Sequence, residues 1–164
     1  MRVLGIDPGL ATLGWGVVEA GSTHPVYIAC GVITTPPDMR FQDRLNAIQQ
    51  RLEELLAEYR PDEIAFEELF FNRNVTTAFT VGAARGVAVA ACARHTSLLY
   101  EYTSMQIKQG ITGWGKADKA QVQQMVQLIL KLNAVPKPDD AADAVACALT
   151  HLSTGPAKIQ FRMK

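Results

Sequence analysis

Three short runs rich in Val, Ile, Trp and Tyr open the chain, over residues 2–7, 14–20 and 26–33. Pro8-Gly9 separates the first two, and Gly21-Ser22 with Pro25 separates the next two. Short apolar runs between turn residues predict three consecutive strands in an antiparallel meander. The period then changes. Within residues 40–59, Leu45, Ile48, Leu52, Leu55 and Leu56 fall on one helical face, and Pro61 marks the stop. Residues 62–66 predict a fourth strand that returns beside the first. Residues 74–94 are rich in Ala and Gly with a helical pattern, and residues 97–102 predict a fifth strand. Three helices follow over 104–111, 118–132 and 139–152, separated by Gly113 to Lys116 and Asn133 to Pro138. This order predicts an α/β fold, a mixed five-stranded sheet flanked by helices. One domain is expected over residues 1–154, with residues 155–164 a flexible basic tail.

Composition narrows the class. A length of 164 residues suits a single domain. No apolar run reaches the roughly 18 residues of a membrane span. The chain starts directly on a strand pattern, so no signal peptide is visible. Cys30, Cys92 and Cys147 are widely spaced in apolar stretches and read as reduced thiols, which points to the cytoplasm. His24, His95 and His151 read as ordinary surface or core residues.

The formal net charge is zero, but the charges are unevenly spread. Residues 40–70 hold four Lys/Arg against eight Asp/Glu. Residues 71–138 hold eight Lys/Arg against two acids, Glu101 and Asp118, a net of +6. Arg73, Lys108, Lys116 and Lys119 belong to this basic stretch and are candidate DNA contacts. A basic region beside an acidic cluster fits a protein that holds phosphates and binds a metal; a solvated surface with chance asymmetry fits the charges equally well.

Four acids stand at the ends of predicted elements. Asp7 closes the first strand and Glu67 the fourth, so the two share an edge if those strands are neighbours. Asp140 and Asp143 lie at i and i+3 in the first turns of the last helix, on one face. Asp139 and Asp140 could instead simply cap that helix. Asp143 lies among alanines on a face that otherwise reads as buried. Glu68 alternates away from Glu67 and reads as surface. Hard cations such as Mg2+ and Mn2+ select oxygen ligands of this kind. Without metal, close carboxylates repel, and at least one should keep its proton. Lys119 falls on the first turn of a helix after a glycine loop, a position that receives phosphate well. Phe70 and Phe71 cannot both enter one core from a strand end, so one is expected in a cleft or exposed.

Several motifs in order carry a resemblance. They are Gly5-Ile6-Asp7-Pro8-Gly9 with Gly14 and Gly16, Phe66-Glu67-Glu68-Leu69-Phe70, and Ala84-Arg85-Gly86-Val87. Lys108-Gln109, the run Gly113 to Lys119, Gln121-Val122, Met125-Val126 and Asp140-Ala141-Ala142-Asp143-Ala144 complete the set. From about residue 2 to 152 the chain resembles the RuvC Holliday-junction resolvases. The resemblance implies a ribonuclease H-like fold. It implies that Asp7, Glu67, Asp140 and Asp143 are the metal-binding catalytic acids, holding two Mg2+ ions, with Mn2+ as a substitute. It also implies that Phe70 meets bases near the junction, that Lys108 and Lys119 lie near the scissile DNA, and that Lys119 assists catalysis. Four-way junction DNA is the implied substrate, cut by a homodimer in strands of like polarity to leave 5′-phosphates. Branch-migration proteins of the RuvA and RuvB type are the implied partners. The small-residue helix 77–93 would serve the dimer contact, although such a helix also packs closely on a sheet. Trp114, flanked by glycines, could stack on a base or anchor its loop.

Three other readings compete. A sugar-kinase or actin-like ATPase opens with a similar strand motif but needs two such domains. Another ribonuclease H-like nuclease, acting on RNA–DNA hybrids or ribosomal RNA, would use similar acids. A non-catalytic junction-binding module would be expected to have lost at least one of the four.

Overall fold

The computed structural model describes residues 1–69 and 75–164, except for the side chains of residues 75 and 76. The elements run β1 (Arg2–Asp7), β2 (Thr12–Glu19), β3 (Val26–Thr34), α1 (Phe41–Tyr59), β4 (Glu63–Glu67) and α2 (Val75–His95). They continue with β5 (Leu99–Tyr102), α3 (Ser104–Thr112), α4 (Lys119–Ile129), α5 (Asp139–Thr154) and a 3-10 helix, η1 (Gly155–Phe161). The sheet order is β3-β2-β1-β4-β5. β1 to β3 form the expected antiparallel meander, and β4 and β5 join parallel to β1.

Strand alternation divides the core in two. Leu4 and Ile6 of β1 and Ile64 and Phe66 of β4 face α1 and α2, where Ile48, Leu52, Leu55, Leu56, Ala84 and Ala88 are buried. Val3 and Ala65 face the other way, against Ile107 and Ile111 of α3, Val122 and Val126 of α4, and Val145 to Leu149 of α5. Asp7 and Glu67 follow the second set by the same alternation.

Local chemistry sets the helix ends. Asp118 caps α4 reciprocally with Gln121, and Thr103 caps α3 with Gln106. Gly113 closes α3 at φ +76°, a conformation glycine adopts freely. Helix α4 stops short of the expected residue 132 because Lys131 turns left-handed at φ +53°.

The tail expectation is corrected. Residues 155–161 are a 3-10 helix packed on the sheet. Lys158 Nζ lies 2.6 Å from Glu63 Oε2, and His151 Nε2 lies 2.7 Å from the same oxygen. The Tyr102 hydroxyl bonds His151 Nδ1 at 2.8 Å, and the Met163 N–H donates to the Leu99 carbonyl. Burial opposes ionisation of Glu63, but bonds from Lys158 and His151 hold its carboxyl below the usual range. A buried acid that finds two cationic or polar partners is what ties the segment down.

Helix α5 lies nearest the sheet, over three glycines. A Cβ on Gly5 would sit 2.0 Å from the Ala144 carbonyl oxygen and 2.8 Å from the Ala148 nitrogen. On Gly14 it would sit 2.0 Å from the Asp140 carbonyl oxygen, and on Gly16 2.4 Å from Val145. Helix backbone cannot yield to such a clash. Gly5→Ala is therefore expected to cost about 3 kcal/mol and to lower the melting temperature by roughly 6–12 °C. Gly86, mid-helix in α2, has nothing within 4 Å of its missing Cβ. Gly86→Ala is expected to raise stability by about 0.5–1 kcal/mol in dilute protein. Thermal melts of the two variants decide the matter, and a harmless Gly5→Ala would mean the helix is not held at this distance.

Candidate active site and metal centre

Asp7 pairs with Gly14 across the β1–β2 ladder. Because Gly14 has no side chain, the backbone of Asp140 rests on that position. The start of α5 is thereby brought to the end of β1. Carboxylate oxygens of Asp7, Asp140 and Asp143 all lie within 4.8 Å of one another. Pro138 occupies the N-cap position and no side chain caps α5, so Asp140 is in the first turn but is not the cap.

Glu67 extends the cluster. It lies one residue beyond the Ile6–Phe66 pair, at the same sheet edge as Asp7. With Ser104, Lys108, Lys119 and Asp143 it lines a cavity of about 210 Å³ whose floor is Ile107, Val122 and Ala146. Lys119, the first residue of α4, reaches across this cavity, and its Nζ lies 2.9 Å from Asp143 Oδ2.

The electrostatics are those of crowded anions. Burial, then the carboxylates of Glu67, Asp143 and Asp140, push the Asp7 carboxyl up to about 8. Lys119 opposes that rise without cancelling it. Glu67 is raised by burial and by Asp143, against a hydrogen bond from Ser104 and the charges of Lys108 and Lys119. Asp143 is raised chiefly by burial, against its bond to Lys119. Three half-buried carboxylates facing one point, with a proton held far above its ordinary range, fit a divalent cation of the oxygen-preferring kind.

Other expected positions fall elsewhere. Phe70, Phe71 and Arg73 lie outside the described residues. Lys116 lines a separate apolar groove with Trp114, Met105 and Phe161, away from the carboxylates. Trp114 is 55% exposed, and its loop is held by the Thr112 hydroxyl, which accepts from the Trp114 N–H and donates to its carbonyl. Several basic residues already have acidic partners: Arg85 with Glu101, Arg94 with Glu53, and Lys137 with Asp139. Among the described residues, Lys108 and Lys116 form no ion pair. Sequence reasoning passed over Ser104. Its signal was the Thr103-to-Gln106 capping box, which sets Ser104 in the first turn of α3, beside the end of β4.

The family model for crossover junction endodeoxyribonuclease RuvC matches residues 3–151. This chain belongs to the RuvC family. The RuvC of Alkaliphilus oremlandii is 50% identical, with all of both chains aligned. The RuvC of Rubrobacter xylanophilus is 52% identical over 91% of this chain and 83% of its own. A solved structure of Thermus thermophilus RuvC in complex with a Holliday junction substrate superposes with a TM-score of 0.87, at 35% identity and 96% coverage of each chain. The ribonuclease H-like fold expected from the sequence is therefore present, and the kinase-like, hybrid-cutting and non-catalytic readings are not favoured. Among the described residues no helix is long and apolar enough to cross a membrane.

The raised Asp7 has a consequence for the stability of the chain. Its folded-state value of about 8 lies above the ordinary 3.8, so the folded state holds the proton more tightly than the unfolded chain. That stabilisation is complete below about pH 4 and is lost as pH rises through about 8. In chelator, the melting temperature of Asp7→Asn should exceed that of the wild type by a margin that widens from pH 5 to pH 8. A divalent cation of the oxygen-preferring kind should close the gap at pH 8 by binding the wild-type native state. A gap independent of pH would show that Asp7 does not carry this proton.

Proposed function

We propose that this chain is a cytoplasmic, magnesium-dependent endonuclease that resolves four-way DNA junctions in recombination and repair, acting as a homodimer. The observation that carries the reading is the convergence of Asp7, Asp140 and Asp143, with Glu67 and Lys119 on the adjoining cavity, in a chain of the RuvC family.

Asp7, Glu67, Asp140 and Asp143 would hold two Mg2+ ions, for which Mn2+ would substitute. Such ions would supply activation of the attacking water and charge stabilisation of the leaving oxygen in an in-line displacement at phosphorus. Lys119 presents its ammonium at the same cavity, where it stabilises negative charge as it develops on the scissile phosphate. Lys108, on the next turn of α3, holds a backbone phosphate. Ser104 steadies the Glu67 carboxylate. Hydrolysis leaves a 5′-phosphate and a 3′-hydroxyl. Arg73 and Lys116 contact DNA further out, and Phe70 and Phe71 stack on unpaired bases at the junction.

A second copy of the chain supplies the second cut. Helix α2 presents Gly82 and Gly86 with open space above them, and Phe79 is 74% exposed beside them. A two-fold dimer through this face sets two identical sites about the axis of an open junction. RuvA- and RuvB-type branch-migration proteins deliver the substrate.

Asp7→Asn should bind a labelled junction with near wild-type affinity in magnesium yet cut it at least 1,000-fold more slowly, an order-of-magnitude expectation for losing a metal ligand. Wild type in calcium should bind and not cut. Robust cleavage by Asp7→Asn would sink the assignment. Heterodimers of wild type with Asp7→Asn should nick a junction in one strand, and Phe70→Ala should cut poorly while retaining metal binding. A mixed dimer that makes both cuts in one binding event would refute the paired-site mechanism.

A further inference from the structure

Asp139 was read from the sequence only as a capping acid, yet it neither caps α5 nor lies idle. It is four residues before Asp143, so the two stack on one helical face. Lys119 reaches both. Its Nζ is 2.9 Å from Asp143 Oδ2 and 3.6 Å from Asp139 Oδ2. The other oxygen of Asp139 is taken: Oδ1 accepts from Gln123 Nε2 at 3.1 Å and from Lys137 Nζ at 3.1 Å. Asp139 is thus fixed in place by two donors, with Oδ2 turned toward the lysine.

One face of Lys119 therefore sees a carboxylate of the metal cluster, and the other sees a carboxylate outside it. Asp139 is half-exposed and is not among the three acids that converge. Asp143 is the more enclosed of the two, with 27% of its side chain exposed. Lys119 and a divalent cation cannot both use the same Asp143 oxygen at full strength. Desolvation makes the charge on Asp143 the costlier one to leave without a cation, so the lysine rests there in the metal-free protein.

We propose that Lys119 is the resident counter-ion of Asp143, and that Asp139 is a positioning residue that receives Lys119 when a divalent cation takes Asp143. This rests on the metal-binding reading above. A shift across the 3.6 Å gap is within the reach of one lysine rotamer change. It keeps the ammonium charged throughout and leaves it at the mouth of the same cavity, ready for a phosphate. Metal entry and release of the catalytic lysine are then one event.

The test is a double-mutant cycle on Mn2+ affinity, measured by titration calorimetry on the full-length protein at fixed salt and without DNA. Lys119→Gln should bind Mn2+ about 3- to 10-fold more tightly than wild type, the order expected for removing one close, partly screened competitor. Asp139→Asn should bind about 3-fold or more weakly, because Lys119 has lost its fallback. In the Lys119→Gln background, Asp139→Asn should have less than half that effect on a logarithmic scale, and Asp139→Glu should restore wild-type affinity. Melts in excess Mn2+ should confirm that each variant is folded. Lys119→Gln binding no more tightly than wild type, or an Asp139→Asn effect of equal size in both backgrounds, would overturn the proposal while leaving the metal site standing. Wild type showing no Mn2+ binding that Asp7→Asn abolishes would overturn both.

Discussion

Helix α5 lies against β1 and β2 at a distance that only glycine permits. Gly5, Gly14 and Gly16 alternate with side chains that face the other layer, so they clear one face of two neighbouring strands. The helix answers with alanines at 141, 142, 144, 146 and 148. Small residues on both sides bring backbone against backbone, and nothing between them can adjust. The position of Asp140 and Asp143 relative to Asp7 follows from this contact rather than from any attraction among the acids. The acids repel, and the packing holds them together regardless.

Strand β4 and helix α5 meet twice, with opposite results. Glu63 and Glu67 are four residues apart on one strand, so they point to the same face at opposite ends. Glu63 meets the far end of α5, where His151 and the Lys158 ammonium satisfy it. Burial lowers the His151 imidazole from its ordinary value, which keeps this end closed without adding a second full charge. Glu67 meets the near end, where α5 offers more acid. One pole is a finished ion-pair network that fixes the helix along its length. The other is left electrically incomplete, and incompleteness is what a cation site requires.

The local half of this arrangement was legible in the sequence. The short apolar runs at residues 2–7 and 62–66, and the i, i+3 spacing of Asp140 and Asp143, were enough to place four acids at element ends. Pro8, Pro61 and Gly113 marked boundaries that the structure keeps within a residue or two for most elements. The long-range half was not legible. Lys158 looked like a surface charge in a loose tail because its partner, Glu63, is 95 residues away. Lys116 was grouped with Lys108 and Lys119 as a basic DNA contact because sequence distance says nothing about which groove a loop residue lines. Asp139 looked like a cap because two of its neighbours, Gln123 and Lys119, belong to a different helix. Phe70, Phe71 and Arg73 lie outside the described residues.

A helix held by backbone contact along its length and by a buried network at its end is not a moving part. The adaptation needed to join substrate and carboxylates therefore falls on the nucleic acid. A continuous duplex resists such deformation through its stacking, with a persistence length of about 150 base pairs. A branch point has already given up part of that stiffness. On the proposed reading, an unyielding centre converts the mechanical weakness of a branched substrate into selectivity.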